Sequence, residues 1–165
     1  MISKPQNVRV VSHGDEAKLY RFIEEGHHES AIFPMSCYKV NQLIDAAINR
    51  THPIVIGVID SPTADEFAAS ICIVYEQPWY TDEWALNEYW NNVRPDYRRS
   101  SYAKDLINFG KWVAETSSKT LQMGIVTTER MEAKIRLYRR QLTQTGAYFV
   151  YNLHQAHGPA AKEIM

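Results

Sequence analysis

Val93-Arg94-Pro95-Asp96-Tyr97-Arg98-Arg99-Ser100-Ser101-Tyr102-Ala103-Lys104 is the stretch on which the reading of this chain turns. The polar-aromatic run Glu83–Val93 before it reads as a strand. After it, Ala103, Leu106, Ile107, Gly110, Val113 and Ala114 recur at helical spacing. Pro95 cannot continue a ladder, and Ser100 and Ser101 suit a helix N-cap. The stretch is a strand-to-helix turn. Such a turn leaves backbone N–H groups unpaired at the helix start, where the helix dipole favours negative charge. Arg98 and Arg99 add two positive charges. The expectation is a phosphate cradle made of Arg98, Arg99, Ser100, Ser101, Tyr102, Ala103 and Lys104.

Outward from the turn, punctuation and periodicity divide the chain. Toward the N-terminus, Val8–Val11 is a short strand candidate. Ser12 or Asp15 can cap a helix carrying Ala17, Leu19, Tyr20 and Ile23, which Gly26 is expected to stop. His27, His28 and the Phe33-Pro34 stretch then form a loop. A second helix spans about Tyr38–Ile48. The β-branched run Ile54–Ile59 and the run Phe67–Tyr75 form a hairpin around Asp60-Ser61-Pro62-Thr63. Toward the C-terminus, the cradle helix runs to about Thr116, and Leu121, Met123 and Ile125 alternate as a strand over Leu121–Val126. Thr127 or Thr128 caps a helix carrying Met131, Ile135, Tyr138 and Leu142. Gly146 breaks it, Ala147–Leu153 is a last strand, and the polar tail from His154 is less ordered. The order is β-α-α-β-β-β-α-β-α-β, an α+β class. Nothing along it marks a second domain, so residues 1–165 are read as one.

At 165 residues with 45% apolar and 22% charged content, the chain can bury a core of its own. The net charge of -1 gives no bulk argument for nucleic acid or membranes. No apolar run is long enough to span a bilayer and Met1–Pro5 opens no signal sequence, so a cytoplasmic location is expected. Cys37 and Cys72 stand in no metal or redox spacing and read as reduced thiols. His27 and His28 have no ligand partners at metal spacing, so no metal is expected.

The segment Val93-Arg94-Pro95-Asp96-Tyr97-Arg98-Arg99-Ser100-Ser101-Tyr102-Ala103 resembles the acyl-CoA-binding segment of the GNAT N-acetyltransferases. Their signature is Arg or Gln, two residues, Gly, one residue, then Gly or Ala. Arg98, Ser101 and Ala103 fill that frame, with Ser101 in place of the usual glycine. The element order is similar to the whole GNAT domain. The resemblance implies a central, mostly antiparallel mixed sheet flanked by helices. It also implies that the strands before and after the cradle helix splay into a cleft for acetyl-CoA. Val93 is then the backbone candidate for the pantetheine arm, and Ser101 can donate a hydrogen bond where glycine gives close approach. The family often ends in two strands. Only one is legible here, which leaves a short last strand or a homodimer partner to complete that wall.

Acetyl transfer needs a base for the amine, stabilisation of the thioester oxygen and a proton for the departing thiolate. Similar sequences place a carboxylate where Glu88 stands, in alternation with Leu86 and Trp90. Burial there would raise its pKa toward that of a working base. The plainer reading is a solvent-facing glutamate, and Glu83 is the fallback. Asn91 and Asn92 look like extra residues before Val93, so a bulge there can change which side chain faces the cleft. Ile135-Arg136-Leu137-Tyr138 resembles the family segment whose tyrosine protonates the CoA thiolate. The plainer reading of Tyr138 is a core position. The family's asparagine one turn earlier is replaced by Met131. The basic run Arg130, Lys134, Arg136, Arg139 and Arg140 reads as a solvated face, with contact to the CoA ribose phosphate as the lesser reading. Trp79, Tyr80, Trp84, Tyr89 and Trp90 read mostly as packing, with some lining a pocket for a small-molecule or peptide amine.

Two other classes compete. One is a GNAT-like sensor that binds acyl-CoA without catalysis. The other, disfavoured by the net charge, is a nucleic-acid module using Arg94, Arg98, Arg99 and the aromatics.

Overall fold

The computed structural model describes residues 2–30, 33–127, 130–147 and 149. The elements are β1 (Arg9–Val10), α1 (Glu16–Ser30), α2 (Cys37–Ile48), β2 (Ile54–Asp60), β3 (Phe67–Glu76), β4 (Ala85–Val93), a 3-10 turn (Pro95–Tyr97), α3 (Tyr102–Ser117), β5 (Leu121–Gln122) and α4 (Met131–Gln141). They form the expected α+β arrangement around one five-stranded sheet in the order β1-β2-β3-β4-β5. Its first four strands pair antiparallel and β5 joins β4 in parallel.

Helices cover both faces of the sheet, which explains the unbroken apolar runs of its central strands. On one face Leu19 and Phe22 of α1 and Ile44, Ala47 and Ile48 of α2 pack on Ile56, Val58, Cys72 and Val74. On the other, Leu106, Phe109 and Val113 of α3 pack on Ile59, Ile71, Ile73 and Leu86. At 25 cal/mol per Å², each fully buried Leu, Ile or Phe contributes about 1.5–3 kcal/mol, so these two clusters hold the frame around the cleft.

Gly26 does not stop the first helix: α1 continues through it and carries His27 and His28 in its last turn. The glycine serves packing instead, because a Cβ there would stand 3.1 Å from the Asn92 amide nitrogen. Strand β4 begins at Ala85 rather than Glu83. Strand β5 is only Leu121–Gln122, not Leu121–Val126. Helix α4 is capped by Arg130 in the left-handed region (φ 51°) rather than by a threonine. Thr127 instead donates to the Glu29 carbonyl at 3.0 Å. Thr128, the last strand over Ala147–Leu153 for the most part, and the tail from His154 lie outside the described residues.

Two irregularities in β4 position the site. The register to β3 slips between Cys72↔Trp90 and Ile73↔Glu88, leaving Tyr89 as an extra residue. The bulge changes the phase of alternation. Trp90 therefore does not share a face with Glu88 as expected; it packs on the α1–α2 side and donates its indole N–H to Ser70 Oγ at 3.1 Å. Asn91, opposite Ile71, takes the face that Trp90 would have held. The second irregularity is the splay. Among the described residues, β4 meets β5 only at Leu86↔Leu121 and Asn87↔Gln122. From Glu88 to Val93 it is paired, among the described residues, on its β3 side alone.

Candidate active site

The gap left by that splay is a cleft of about 400 Å³. Its walls are the C-terminal end of β4 with the turn into α3, and the inner face of α4. Val93, Arg98, Ser100, Ser101, Ala103 and Lys104 line it on one side and Lys134, Leu137 and Tyr138 on the other. Most of the residues expected to form the cradle are brought together here. Two are not. Arg99 is exposed and off the cleft wall. Tyr102 turns back onto the α3 core cluster and stacks at 6.2 Å on Tyr97, because helical phase at the start of α3 aims it at the sheet.

Main-chain geometry explains why the turn can meet an anion. The first bond of the α3 ladder runs from the Asp105 N–H to the Ser101 carbonyl at 3.0 Å. The Ala103 and Lys104 amides precede that ladder and belong to the unpaired first turn. The Tyr102 amide is partly capped, donating to Ser100 Oγ at 3.2 Å. The Ser101 hydroxyl is engaged within the protein. It donates to Asp105 Oδ2 at 2.7 Å, since Asp105 stands one helical turn on and takes the proton locally.

Backbone polarity along β4 follows from one bond. The Arg94 N–H donates to the Ala68 carbonyl at 3.0 Å, which makes Val93↔Ala69 a pair that exchanges no hydrogen bonds of its own. The N–H and C=O of Val93, and by alternation those of Asn91, therefore turn to the cleft edge. The Val93 carbonyl accepts from Arg98 Nε at 3.2 Å, so what Val93 can offer a ligand is chiefly its N–H.

Arg98 also forms an ion pair with Glu29 of α1, and Arg94 one with Glu25. These acids lie four residues apart on one helix face, and the two arginines four apart across the turn. They fasten the end of α1 to the cradle. Arg94 is further held by the Phe67 carbonyl at 2.8 Å and lies over the Phe22 ring. It is a structural residue and not a free base for nucleic acid. Glu29 itself lines the cleft beside Lys104, Arg130 and Lys134, an anion set among cations.

At the other end of the cleft the Tyr138 hydroxyl donates to Glu88 Oε2 at 2.9 Å. The two side chains picked from sequence as acid and base are thus in contact, reaching from α4 and β4. Glu88 is half-buried beside the cleft, and the Tyr138 that it binds lines the wall. Desolvation raises its pKa to about 7, against the opposing pull of the Tyr138 hydrogen bond and the Lys134 charge. Burial also pushes the Tyr138 hydroxyl well above its ordinary range, and the Glu88 carboxylate adds to that. A hydrogen bond from the Asn91 side chain acts the other way.

In the sequence Asn91 stands out only as a surplus residue in the strand count. It lines the cleft, and its Oδ1 is buried with no hydrogen-bond partner among the described residues. Burying such an atom unpaired costs about 1–3 kcal/mol. Glu83, the alternative base, is exposed and stands in a separate cavity with Lys119, at the far end of β4. Tyr80 and Trp84 line that second cavity and Trp79 is 95% exposed near it. None of the five aromatics lines the main cleft. The β3–β4 connection that carries Trp79, Tyr80 and Trp84 is separated from the cradle by the length of β4, roughly 26 Å. Among the described residues no group of His, Cys, Asp and Glu is gathered for a metal, and no helix is long and apolar enough to cross a membrane.

No protein-family model and no curated protein sequence matches this chain. Solved structures do. An acetyltransferase from Trypanosoma brucei aligns at 18% identity and TM-score 0.62, covering 87% of this chain and 96% of that one. AAC(6')-Iy, in complex with the bisubstrate analog CoA-S-monomethyl-acetylneamine, aligns at 10% identity and TM-score 0.65, covering 88% and 95%. Glucosamine-6-phosphate N-acetyltransferase from Arabidopsis thaliana aligns at 12% identity and TM-score 0.66, covering 89% and 97%. At these identities the likeness shows the fold, and it extends over nearly the whole of both chains.

Proposed function

From a chain with the GNAT acetyltransferase fold, we propose an acetyl-CoA-dependent N-acetyltransferase that acts on a primary amine of a small molecule or peptide. The observation that carries this reading is the Tyr138–Glu88 contact at the end of a cation-lined cleft that opens from a helix N-terminus. The two ends of the cleft suit the two ends of the donor. The amides of Ala103 and Lys104 with Arg98 and Lys104 side chains suit its diphosphate. The edge N–H groups of Asn91 and Val93 suit its arm and thioester.

The pair can run the proton transfers of the reaction. The neutral amine attacks the thioester carbon, forming C–N and then breaking C–S, and its surplus proton passes to the Glu88 carboxylate. A carboxylate raised to about 7 is half-ionised near neutral pH and is a stronger base than an ordinary glutamate. Protonating Glu88 removes the charge that held the Tyr138 proton. Tyr138 becomes a better acid as the thiolate leaves, and gives it that proton. The Glu88 proton then returns along the 2.9 Å hydrogen bond to the phenolate, restoring both groups. The products are the amide and the free CoA thiol.

Calorimetry with acetyl-CoA, followed by a thiol-release assay over a panel of primary amines, tests this. The expected result is saturable binding and thiol release that depends on added amine. Absence of binding at millimolar acetyl-CoA would end the reading. Binding without release for any amine would leave a CoA sensor in its place.

A further inference from the structure

We infer that Asn91 is a positioning residue of the cleft: its Oδ1 accepts an amide N–H of the acyl donor's arm while its amide nitrogen steers the Tyr138 hydroxyl. The inference rests on the proposed acetyl-CoA reading and adds a residue to it.

Three observations converge on Asn91. The first is the bulge. Residues three apart on a regular strand face opposite ways, yet the extra residue at Tyr89 puts Glu88 and Asn91 on one face, opposite Ile73 and Ile71. Without it Trp90 would fill the place beside Tyr138. The second is the orphaned oxygen. Asn91 lines the cleft, and its Oδ1 is buried with no described residue donating to it. An amide oxygen left unpaired in a cleft is complementary to a ligand N–H. The third is orientation. The Tyr138 proton is committed to Glu88, so the phenol oxygen can only accept from Asn91. The Asn91 nitrogen then faces Tyr138, and Oδ1 is left as the buried acceptor that a ligand N–H could satisfy.

Position along β4 identifies the ligand group that would meet Oδ1. Asn91 lies between the acid–base pair and the cradle, with Val93 following it. A donor with its diphosphate at Ala103 and its thioester at Tyr138 lays its connecting arm across Asn91. In CoA that arm carries two secondary amides. One N–H donated to Oδ1 would fix the asparagine, and through it the hydroxyl that protonates the thiolate.

The test measures binding of two probes to wild-type protein, Asn91→Leu and Asn91→Asp. The probes are acetyl-CoA and adenosine 3′,5′-bisphosphate, which has the nucleotide but no arm. Wild-type binding of acetyl-CoA checks the underlying reading separately. Loss of one hydrogen bond predicts that Asn91→Leu weakens acetyl-CoA by about tenfold. Binding of the bisphosphate should not change. Asn91→Asp keeps an acceptor oxygen and should bind acetyl-CoA within a few-fold of wild type. It should also move the pH profile of kcat upward, because a second carboxylate beside Tyr138 and Glu88 holds protons on the pair. A purely structural role would weaken both probes alike. That outcome, or undiminished acetyl-CoA binding by Asn91→Leu in a wild type that binds it, would overturn the inference.

Discussion

Tyr138 Oη and Glu88 Oε2 stand 2.9 Å apart, joining α4 to β4 across the open end of the cleft. The contact lowers the pKa of Glu88 while burial raises it. Removing the hydroxyl takes away the lowering influence and leaves the desolvation. In Tyr138→Phe the ascending limb of the pH–rate profile should therefore move above its wild-type position near 7. The same variant loses the proton donor for the thiolate, worth about 10²–10⁴-fold in kcat. A profile that keeps its midpoint while kcat falls would mean that the base is a group other than Glu88.

The same carboxyl makes stability depend on pH. Its folded pKa of about 7 lies above the unfolded value of 4.5, so the folded state holds the proton more tightly. The stabilisation is complete below pH 4.5 and is lost as pH rises through 7, up to roughly 3 kcal/mol in all. Glu88→Gln should thus be more stable than wild type at pH 8 and lose that advantage toward pH 4.5. Urea titrations of both proteins at the two pH values measure it, and a difference independent of pH would contradict the assignment.

How much of this was legible depends on the range over which each residue acts. The runs Ile54–Ile59 and Phe67–Tyr75 announce themselves because burial on both sides leaves no polar alternation to confuse them. Tyr138 and Glu88 are each legible through a resemblance, but separately; their contact is a tertiary fact. The surplus at Asn91-Asn92 revealed a bulge by count, but pairing with Cys72 and Ile73 decides that Tyr89 is the odd residue. Gly26 is not legible locally, because its reason for being glycine is Asn92, far along the chain. Local rules see only a helix breaker. The Ser101 hydroxyl binds Asp105, four residues on, a local contact that the reading of the turn as an anion site does not reveal.

Gly57 shows the same kind of hidden constraint in the sheet. A Cβ there would lie 2.8 Å and 2.9 Å from two carbons of the buried Phe109 ring and 3.1 Å from Val8. Neither neighbour has free space, for Phe109 and Val8 are both core residues. Gly57→Ala should destabilise the fold by about 1–3 kcal/mol through overpacking. Pairing it with Phe109→Leu, which withdraws the ring, should recover part of that loss beyond additivity. Thermal denaturation of the single and double variants measures the coupling, and strict additivity would place the cost elsewhere.

Glu29 is the anion among the cations of the cleft, paired with Arg98 at the mouth of the cradle. A donor diphosphate must share Arg98 with it. In Glu29→Gln the competing charge is gone, while Arg98 Nε keeps its bond to the Val93 carbonyl at 3.2 Å and so its place. The variant should bind acetyl-CoA about three- to tenfold more tightly at low salt. The gain should shrink as salt is raised and the charges are screened over a Debye length of about 8–10 Å. If the ion pair mattered more for fastening α1 to the turn than for competing with the ligand, the variant would bind more weakly at every salt concentration. Calorimetric titrations at two ionic strengths separate the two outcomes, because loss of a structural tie has no reason to fade with added salt in the way a removed repulsion does.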